Sequence, residues 1–462
     1  MRSRLVNLVC WLIWLVGAGL LAWHATRPEM QHWVGSDMGW QWLLGRSLVR
    51  GQLDQQYTVA AGERWLAEGY DGKFLEQMIQ TLFRKGRERL PNPDGIDGPL
   101  YPPVAAFFFA PYGWLSPSQA HALAVVTGLA ASAGAALLLS SLLKVWHLSG
   151  LVALALFCFP HHYSGILIGQ NHCCTFFLIT LGWWLNRHER PFLGGIVWGL
   201  LVYKPVFLVA LLLIPIALLR WRLLLGMLSS ACVLVLLSLP FTGGLEPWKR
   251  WLTVGQRASA MYELDRRWVW LSRDLAGLPR RAMWDVQSLS HEWRYLRQSD
   301  PMPPEVTRTY LVRDGTRVRS PQWASMTGWL LLIGIAFGTL LVLWWRDPPE
   351  EHDATCISLL FCGALWCVLH FMYYDQLVFA LPLAWLIPTL TQRRLWFRVA
   401  IGGILIILYL SAFLAFWYGA WWLLAIPFDA LVLVLLWLLL GLAAAFPGFS
   451  QKIFFFPTDY TP

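Results

Sequence analysis

The sequence predicts an all-α polytopic membrane protein that forms a single integral-membrane domain over residues 1–462. Hydrophobic residues make up 57% of the chain and charged residues only 14%, whereas about one quarter of a soluble domain is charged. Apolar runs long enough to cross a bilayer also recur along the chain. These observations exclude an ordinary soluble enzyme and a disordered chain.

The apolar runs predict about twelve membrane spans with both termini inside. The first run, Leu5–Ala25, follows Arg2 and Arg4 and is too long for the core of a signal peptide. The later runs cover residues 119–143, 149–168, 171–186, 191–203, 206–219, 223–240, 323–345, 354–370, 375–390, 398–417 and 421–445.

The short links between these runs set the predicted orientation. Alternate links carry the basic residues, as cytoplasmic loops do, and the opposite short links contain a single cation, Lys204. The net charge of +9 therefore indicates cytoplasmic loops and not a nucleic-acid partner. The basic residues of the inner links and tail are Lys144, Arg187, Arg190, Arg220, Arg222, Arg346, Arg393, Arg394 and Lys452.

Two long loops are expected on the outer side, residues 26–97 and 241–322. Both are expected to carry helices that lie along the membrane interface, and the second is rich in Arg and Trp. Between the first loop and the next span, residues 98–117 contain three prolines and predict a re-entrant or surface-lying element. The amphipathic stretches of the first loop are residues 38–50, 59–69 and 73–86.

The eight cysteines predict neither a disulfide scaffold nor a zinc site. All lie in apolar runs or at their edges, and none has a spacing typical of zinc ligands. They are Cys10, Cys158, Cys173, Cys174, Cys232, Cys356, Cys362 and Cys367.

Asp37 is the first candidate functional residue, because it follows the first span in the segment GSDMGWQW. It has two interpretations: an N-cap for the following helix, or a general base held at the outer membrane face. Arg46, in the same predicted helix, is a candidate substrate-binding residue.

Lys204, in the segment LLVYKPV, is the second candidate. The apolar stretches on either side reach only about 18–21 Å as helices, short of a hydrocarbon core of about 30 Å. The turn is therefore expected to lie below the outer surface. The lysine either snorkels from a helix end or binds a phosphate in a pocket.

Two further polar turns are expected at the same outer face, where polar groups at membrane depth are functional candidates. The segment GQNH contains Gln170 and Asn171, and Asn171 is alternatively the N-cap of the next helix. The segment HFMYYD contains His370, Tyr374 and Asp375, which alternatively belong to an interfacial aromatic belt. One outward-facing cavity would account for all of these residues together.

Four motifs in the same order resemble glycosyltransferase family 87, a family of membrane mannosyltransferases in the GT-C superfamily. They are an aspartate after the first span, the segment YPPVAAFFFAP (101–111), the turn GQN (169–171) and the segment GGIVWGLLVYKP (194–205). The resemblance extends over residues 30–225 and more weakly to about residue 390.

This resemblance implies a GT-C-like bundle and a polyprenyl-phosphate-linked sugar donor. It also implies an acidic residue in the first outer loop, matched here by Asp37, and a histidine in a late outward turn, matched by His370. Many GT-C enzymes have a D-x-D or E-x-D pair in the first loop, but here Met38 and Gly39 follow the aspartate. We therefore expect no metal and no other cofactor.

The predicted reaction is inverting transfer of a mannose-like hexose to a hydroxyl of a lipid or polysaccharide acceptor. Asp37 would act as base, with Asp97 as a rival, and Lys204 would bind the donor phosphate together with His370. Tyr101 and Gln170 are further candidates for the donor site. The expected location is the bacterial inner membrane, with the site on the extracytoplasmic side.

Two other classes of protein share many spans and buried polar groups. One is a transporter or flippase of lipid-linked sugars, although no second copy of the KP or GQ pattern indicates paired halves. The other is a ligase or polymerase of glycans.

Overall fold

The computed structural model confirms an all-α protein. Throughout the part of the chain that it describes, the secondary structure is helical without a strand, and one isolated bridge pairs Ser272 with Met372. The described residues are 2–27, 37–57, 100–160, 162–264, 272–275, 277–283, 321–345, 353–387, 390, 393–417 and 427–446.

The helices of the described residues are numbered α1 to α18 here. The first nine are α1 Arg2–Ala25, α2 Asp37–Val49, α3 Ala105–Gly113, α4 Pro117–Leu142, α5 Ser149–Phe157, α6 His162–Leu167, α7 His172–Arg187, α8 Pro191–Gly199 and α9 Pro205–Leu211. The others are α10 Leu213–Ala217, α11 Trp221–Thr242, α12 Glu246–Leu264, α13 Gly277–Ala282, α14 Pro321–Trp345, α15 Ala354–Trp366, α16 Ala380–Leu386, α17 Leu395–Trp417 and α18 Phe428–Ala445.

The helices have the apolar surfaces of a membrane protein. Within the described residues, five helices (α1, α4, α11, α14 and α18) are long and apolar enough to cross a bilayer. Large apolar side chains remain exposed along them, including Leu5, Val16 and Phe337 at 63% each. A soluble protein rarely exposes continuous apolar surface on this scale. The other apolar helices are shorter, so the total of about twelve spans stays a prediction.

Several expected spans are interrupted in the structure. Residues 149–168 form α5 and α6, and residues 206–219 lie in α9 and α10. Pro160 and Pro215 lie at these interruptions, where proline removes a backbone donor and crowds the preceding turn. Residues 375–390 begin within a 3-10 segment, Tyr373–Phe379, before α16. These breaks place non-helical backbone inside the bundle, which is tolerated where it is buried in protein or lines a cavity.

The segment 98–117 contains the short helix α3, whose nine residues extend only about 13–14 Å. Helix α3 packs against α2 through Gly45 and Gly113. A Cβ atom at Gly45 would overlap the Phe109 carbonyl oxygen, and one at Gly113 would overlap the backbone of Gly45. The length of α3 agrees with a surface or re-entrant element, whose depth in the membrane stays a prediction.

The two long loops are described in part. In the first loop, the expected stretch 38–50 forms α2, whereas the stretches 59–69 and 73–86 lie outside the described residues. The second loop contributes α12 and α13, and residues 284–320 lie outside the described residues.

A close glycine contact joins α8 to α11. A Cβ at Gly195 would overlap the Leu223 carbonyl oxygen, and one at Gly226 would overlap the Phe192 carbonyl oxygen. Small residues let membrane helices approach at backbone distance, where van der Waals packing drives their association. Since α8 leads directly into the Lys204 turn, this contact fixes the approach to that turn.

We expect Gly195→Ala to destabilise the protein by about 1–3 kcal/mol, because the added methyl group forces α8 and α11 apart. Thermal unfolding in detergent measures the change. The matched control is Gly402→Ala in α17, where a Cβ meets nothing within 4 Å. Equal melting temperatures for the two variants would contradict the packing argument.

Candidate active site

The Gly169–His172 turn connects α6 to α7 and lies against the beginning of α2. Gly169 has a φ of +70°, and a Cβ there would lie 2.7 Å from the Cβ of Met38. Gln41 Nε2 donates a hydrogen bond to the Gly169 carbonyl oxygen at 2.9 Å. The turn therefore lies close to Asp37, which begins α2. The side chain of Asp37 is outside the described residues.

Asn171 stands at the N-cap position of α7, but its side chain does not cap the helix. Instead, Asn171 Nδ2 donates to Tyr101 Oη at 3.0 Å. The Asn171 Oδ1 atom is buried and has no hydrogen-bond partner among the described residues. Because a buried acceptor is costly to leave unpaired, this oxygen is a natural contact for a substrate hydroxyl. The neighbouring Gln170 is also buried.

Tyr57 holds the Tyr101 segment in place from the first loop. Its hydroxyl donates to the Tyr101 carbonyl oxygen at 2.7 Å. Burial raises the pKa of Tyr57 well above its ordinary value, because the ionised phenolate is disfavoured away from water. The hydroxyl therefore stays protonated and keeps donating.

Lys204 lies at a break between two helical segments. The 3-10 segment Leu200–Tyr203 ends before it, and Pro205 begins α9. The backbone of Lys204 is not helical, with φ −133° and ψ 70°. Its ammonium is buried and donates to Asp375 Oδ1 at 2.5 Å. This contact joins two residues that are 171 positions apart in the sequence.

Asp375 uses both carboxylate oxygens. While Oδ1 accepts from Lys204, Oδ2 accepts from the Met372 amide at 3.2 Å. The carboxylate therefore holds the His370–Asp375 turn in shape and fixes the lysine. Lys204 Nζ lies 5.8 Å from the Tyr374 ring centroid, whose ring lies 6.2 Å from that of His172. These contacts connect the Lys204 break to the Asn171 turn.

His370 belongs to the same group of residues. It is half-buried and lies in the turn that Asp375 holds in shape through the Met372 amide. An imidazole N–H in this turn can donate to an anion. Of the predicted site residues, His370, Lys204, Tyr374 and Asp375 therefore lie together.

Arg46 lies elsewhere. Its Nη1 atom donates to the Gly113 carbonyl oxygen at 2.9 Å, and its guanidinium lies 6.0 Å from the Trp42 ring centroid. These contacts connect the end of α2 to the end of α3. Arg46 is nine positions from Asp37 on the same helix, which corresponds to about 13 Å. The structure thus gives Arg46 a role in joining helices.

Comparison with protein families identifies the chain. The model of glycosyltransferase family 87 matches residues 100–371, which is more than half of the 462 residues. The chain belongs to this family. Searches of curated proteins and of solved structures found no match. The matched region contains Tyr101, the Gly169–His172 turn, Lys204 and His370, whereas Asp37 and Asp375 lie outside it.

The protein is therefore a membrane glycosyltransferase, and part of its second long loop reaches the candidate site. Ser272 pairs with Met372, and the Arg273 amide donates to the Phe371 carbonyl oxygen. The Arg273 side chain is buried, and its Nε donates to Asp429 Oδ2 of α18 at 2.7 Å. Neither residue of this ion pair was predicted from the sequence as a functional residue.

Other side chains complete the contact between the second loop and the glycosyltransferase bundle. Gln376 Nε2 also donates to Asp429 Oδ2, at 2.9 Å. Asp274 accepts from Ser272 Oγ and from the Gly277 amide, where α13 begins. Asp429 could have been recognised in the sequence as a candidate, because it is an acidic residue at the start of an apolar helix. Arg273 could not, since arginines are common in that loop.

We expect Lys204→Met and Asp375→Asn each to destabilise the glycosyltransferase by about 3–5 kcal/mol, because each leaves a buried charge without its partner. The double variant should recover much of the lost free energy of unfolding, because it leaves neither charge buried alone. Thermal or denaturant unfolding in detergent checks this. Additive losses in the double variant would show that the two residues do not act as a pair.

Proposed function

We propose that this glycosyltransferase moves a mannose-like hexose from a polyprenyl-phosphate donor to a hydroxyl of a lipid or polysaccharide acceptor. The observation that carries the proposal is the buried Lys204–Asp375 ion pair, which lies beside the turn with the unpaired Asn171 Oδ1. A cation and a polar acceptor side by side, inside apolar helices, suit a donor that combines a lipid, a phosphate and a sugar.

The donor phosphate is assigned to Lys204 and His370. An ammonium has three donors, and Asp375 accepts from Lys204 through a single oxygen in the structure. Polyprenyl phosphate gains negative charge as it leaves, and a positively charged group fixed in advance stabilises that charge. Asp375 is assigned to hold the ammonium in position and to balance its charge when the site is free of donor.

The sugar is assigned to the Gly169–His172 turn and Tyr101. Asn171 Oδ1 can accept from a sugar hydroxyl, and Gln170 adds a further polar side chain on the same turn. Tyr374 offers a ring face near Lys204, and the apolar part of a sugar packs well on such a face.

Asp37 is assigned as the general base that takes a proton from the acceptor hydroxyl as it attacks the anomeric carbon. The supporting observation is that α2 begins at Asp37 beside Gly169. One base opposite a phosphate leaving group fits a direct displacement with inversion. We place the site on the extracytoplasmic face of the bacterial inner membrane, because the short links on the other face carry the basic residues.

The donor class can be tested with purified protein in lipid nanodiscs. We expect transfer of radiolabelled mannose from polyprenyl-phosphate mannose to a membrane glycolipid, and none from GDP-mannose. Transfer from GDP-mannose alone would contradict the proposed donor. Movement of the donor across vesicle membranes without transfer would favour a flippase.

We expect Asp37→Asn to lower kcat by about 10²–10⁴-fold with little change in the donor KM, because the amide cannot accept the proton. The matched control is Asp54→Asn, an exposed acid in the same loop, which should keep full activity. Wild-type turnover of Asp37→Asn would remove Asp37 from the role of base.

A further inference from the structure

A second cluster of polar side chains lies behind the Gly169–His172 turn. His162 on α6 and His172 and Cys173 on α7 are each 0% exposed. One ligand atom from each lies within 4.8 Å of the others. The spacing of these residues along the chain is not typical of a metal site, because His162 comes from a different helix than His172 and Cys173.

Two of the three distances within the cluster are close to those of atoms that share a metal ion. Cys173 Sγ lies 3.6 Å from His162 Nδ1 and 3.3 Å from His172 Nε2. Metal–sulfur and metal–nitrogen bonds of about 2.3 and 2.0–2.1 Å place the ligand atoms roughly 3.5–3.8 Å apart at tetrahedral or trigonal angles.

The second ring nitrogens of the two histidines differ in their surroundings. His172 Nδ1 is buried without a hydrogen-bond partner among the described residues. Ser132 Oγ lies 3.5 Å from His162 Nε2. That hydroxyl orients the His162 ring so that Nδ1 faces Cys173 Sγ. Metal-binding histidines are commonly oriented in this way by a hydrogen bond to their second ring nitrogen.

We propose that His162, His172 and Cys173 bind one copper(I) ion, which joins α6 to α7 behind the turn that carries Gln170 and Asn171. A thiolate with imidazoles suits copper(I) or zinc. Charge decides between them, because a thiolate and two neutral imidazoles make copper(I) neutral, whereas zinc leaves a positive charge in an apolar interior. Structural zinc also takes four ligands, and the described residues supply three.

Binding is a proton exchange without a redox change. The S–H bond of Cys173 breaks, its proton goes to water, and a sulfur–copper bond forms while both imidazoles coordinate through nitrogen lone pairs. The copper must therefore be supplied as copper(I) under reducing conditions. The ion has a structural role, since the cluster is closed to solvent.

The test is expression in copper-supplemented medium, purification under reducing conditions without oxygen, and elemental analysis of copper per chain. We expect one copper per chain in the wild type and in the control Cys174→Ser, the next residue in the sequence. We expect none above background in Cys173→Ser or in His162→Asn. X-ray absorption of the wild type should show copper(I) with one sulfur and two nitrogen neighbours, which requires no variant to fold.

Copper-free wild type, or equal copper in Cys173→Ser and the wild type, would overturn the proposal. One equivalent of zinc that is lost in Cys173→Ser would overturn the choice of copper(I). Sugar transfer plays no part in these measurements, so their outcome is independent of the proposed donor.

Discussion

The buried ion pair between Lys204 and Asp375 is the interaction on which the candidate site depends. Neither charge could remain alone among apolar helices, since the desolvation cost of a single buried ion is several kcal/mol. The pair joins two breaks in the bundle, one before α9 and one before α16. Because the second oxygen of Asp375 also binds the Met372 amide, the pair holds the shape of the turn as well as the position of the ammonium.

The helix breaks and the polar turns have a common physical cause. A bilayer favours continuous helices, so each interruption requires compensation from neighbouring protein. Here the Gly169–His172 turn is compensated by Gln41 and Tyr101, and the His370–Asp375 turn by Lys204 and Arg273. The sites of broken helix are therefore also the sites of buried polar side chains.

The sequence was sufficient to predict the helical class and the membrane character, and it named Lys204, Tyr374, Asp375 and His370 as residues of one candidate site without indicating their contacts. These predictions follow from local signals: apolar length, proline, and polar residues at membrane depth. Helix boundaries within residues 149–168 and 206–219 were less predictable, because apolar content alone does not show where a proline divides a span. Arg46 joins α2 to α3, and its contact with substrate stays a prediction.

Pairings across long separations could not be read from the sequence. Lys204 and Asp375 are 171 positions apart, and Arg273 and Asp429 are 156 apart. The residues next to a lysine in the sequence do not show whether its ammonium pairs with a distant carboxylate or snorkels to the interface. The cluster of His162, His172 and Cys173 could not be predicted for the same reason, since its residues come from two helices that are brought together only in the folded protein.

The bond between Arg273 and Asp429 has a consequence for biogenesis. A ribosome delivers membrane segments to the translocon in order, and α18 is the last of the described helices. Until that helix has inserted, the ion pair between Arg273 and Asp429 cannot form. The contact between the second loop and the bundle is therefore completed only after α18 has been made.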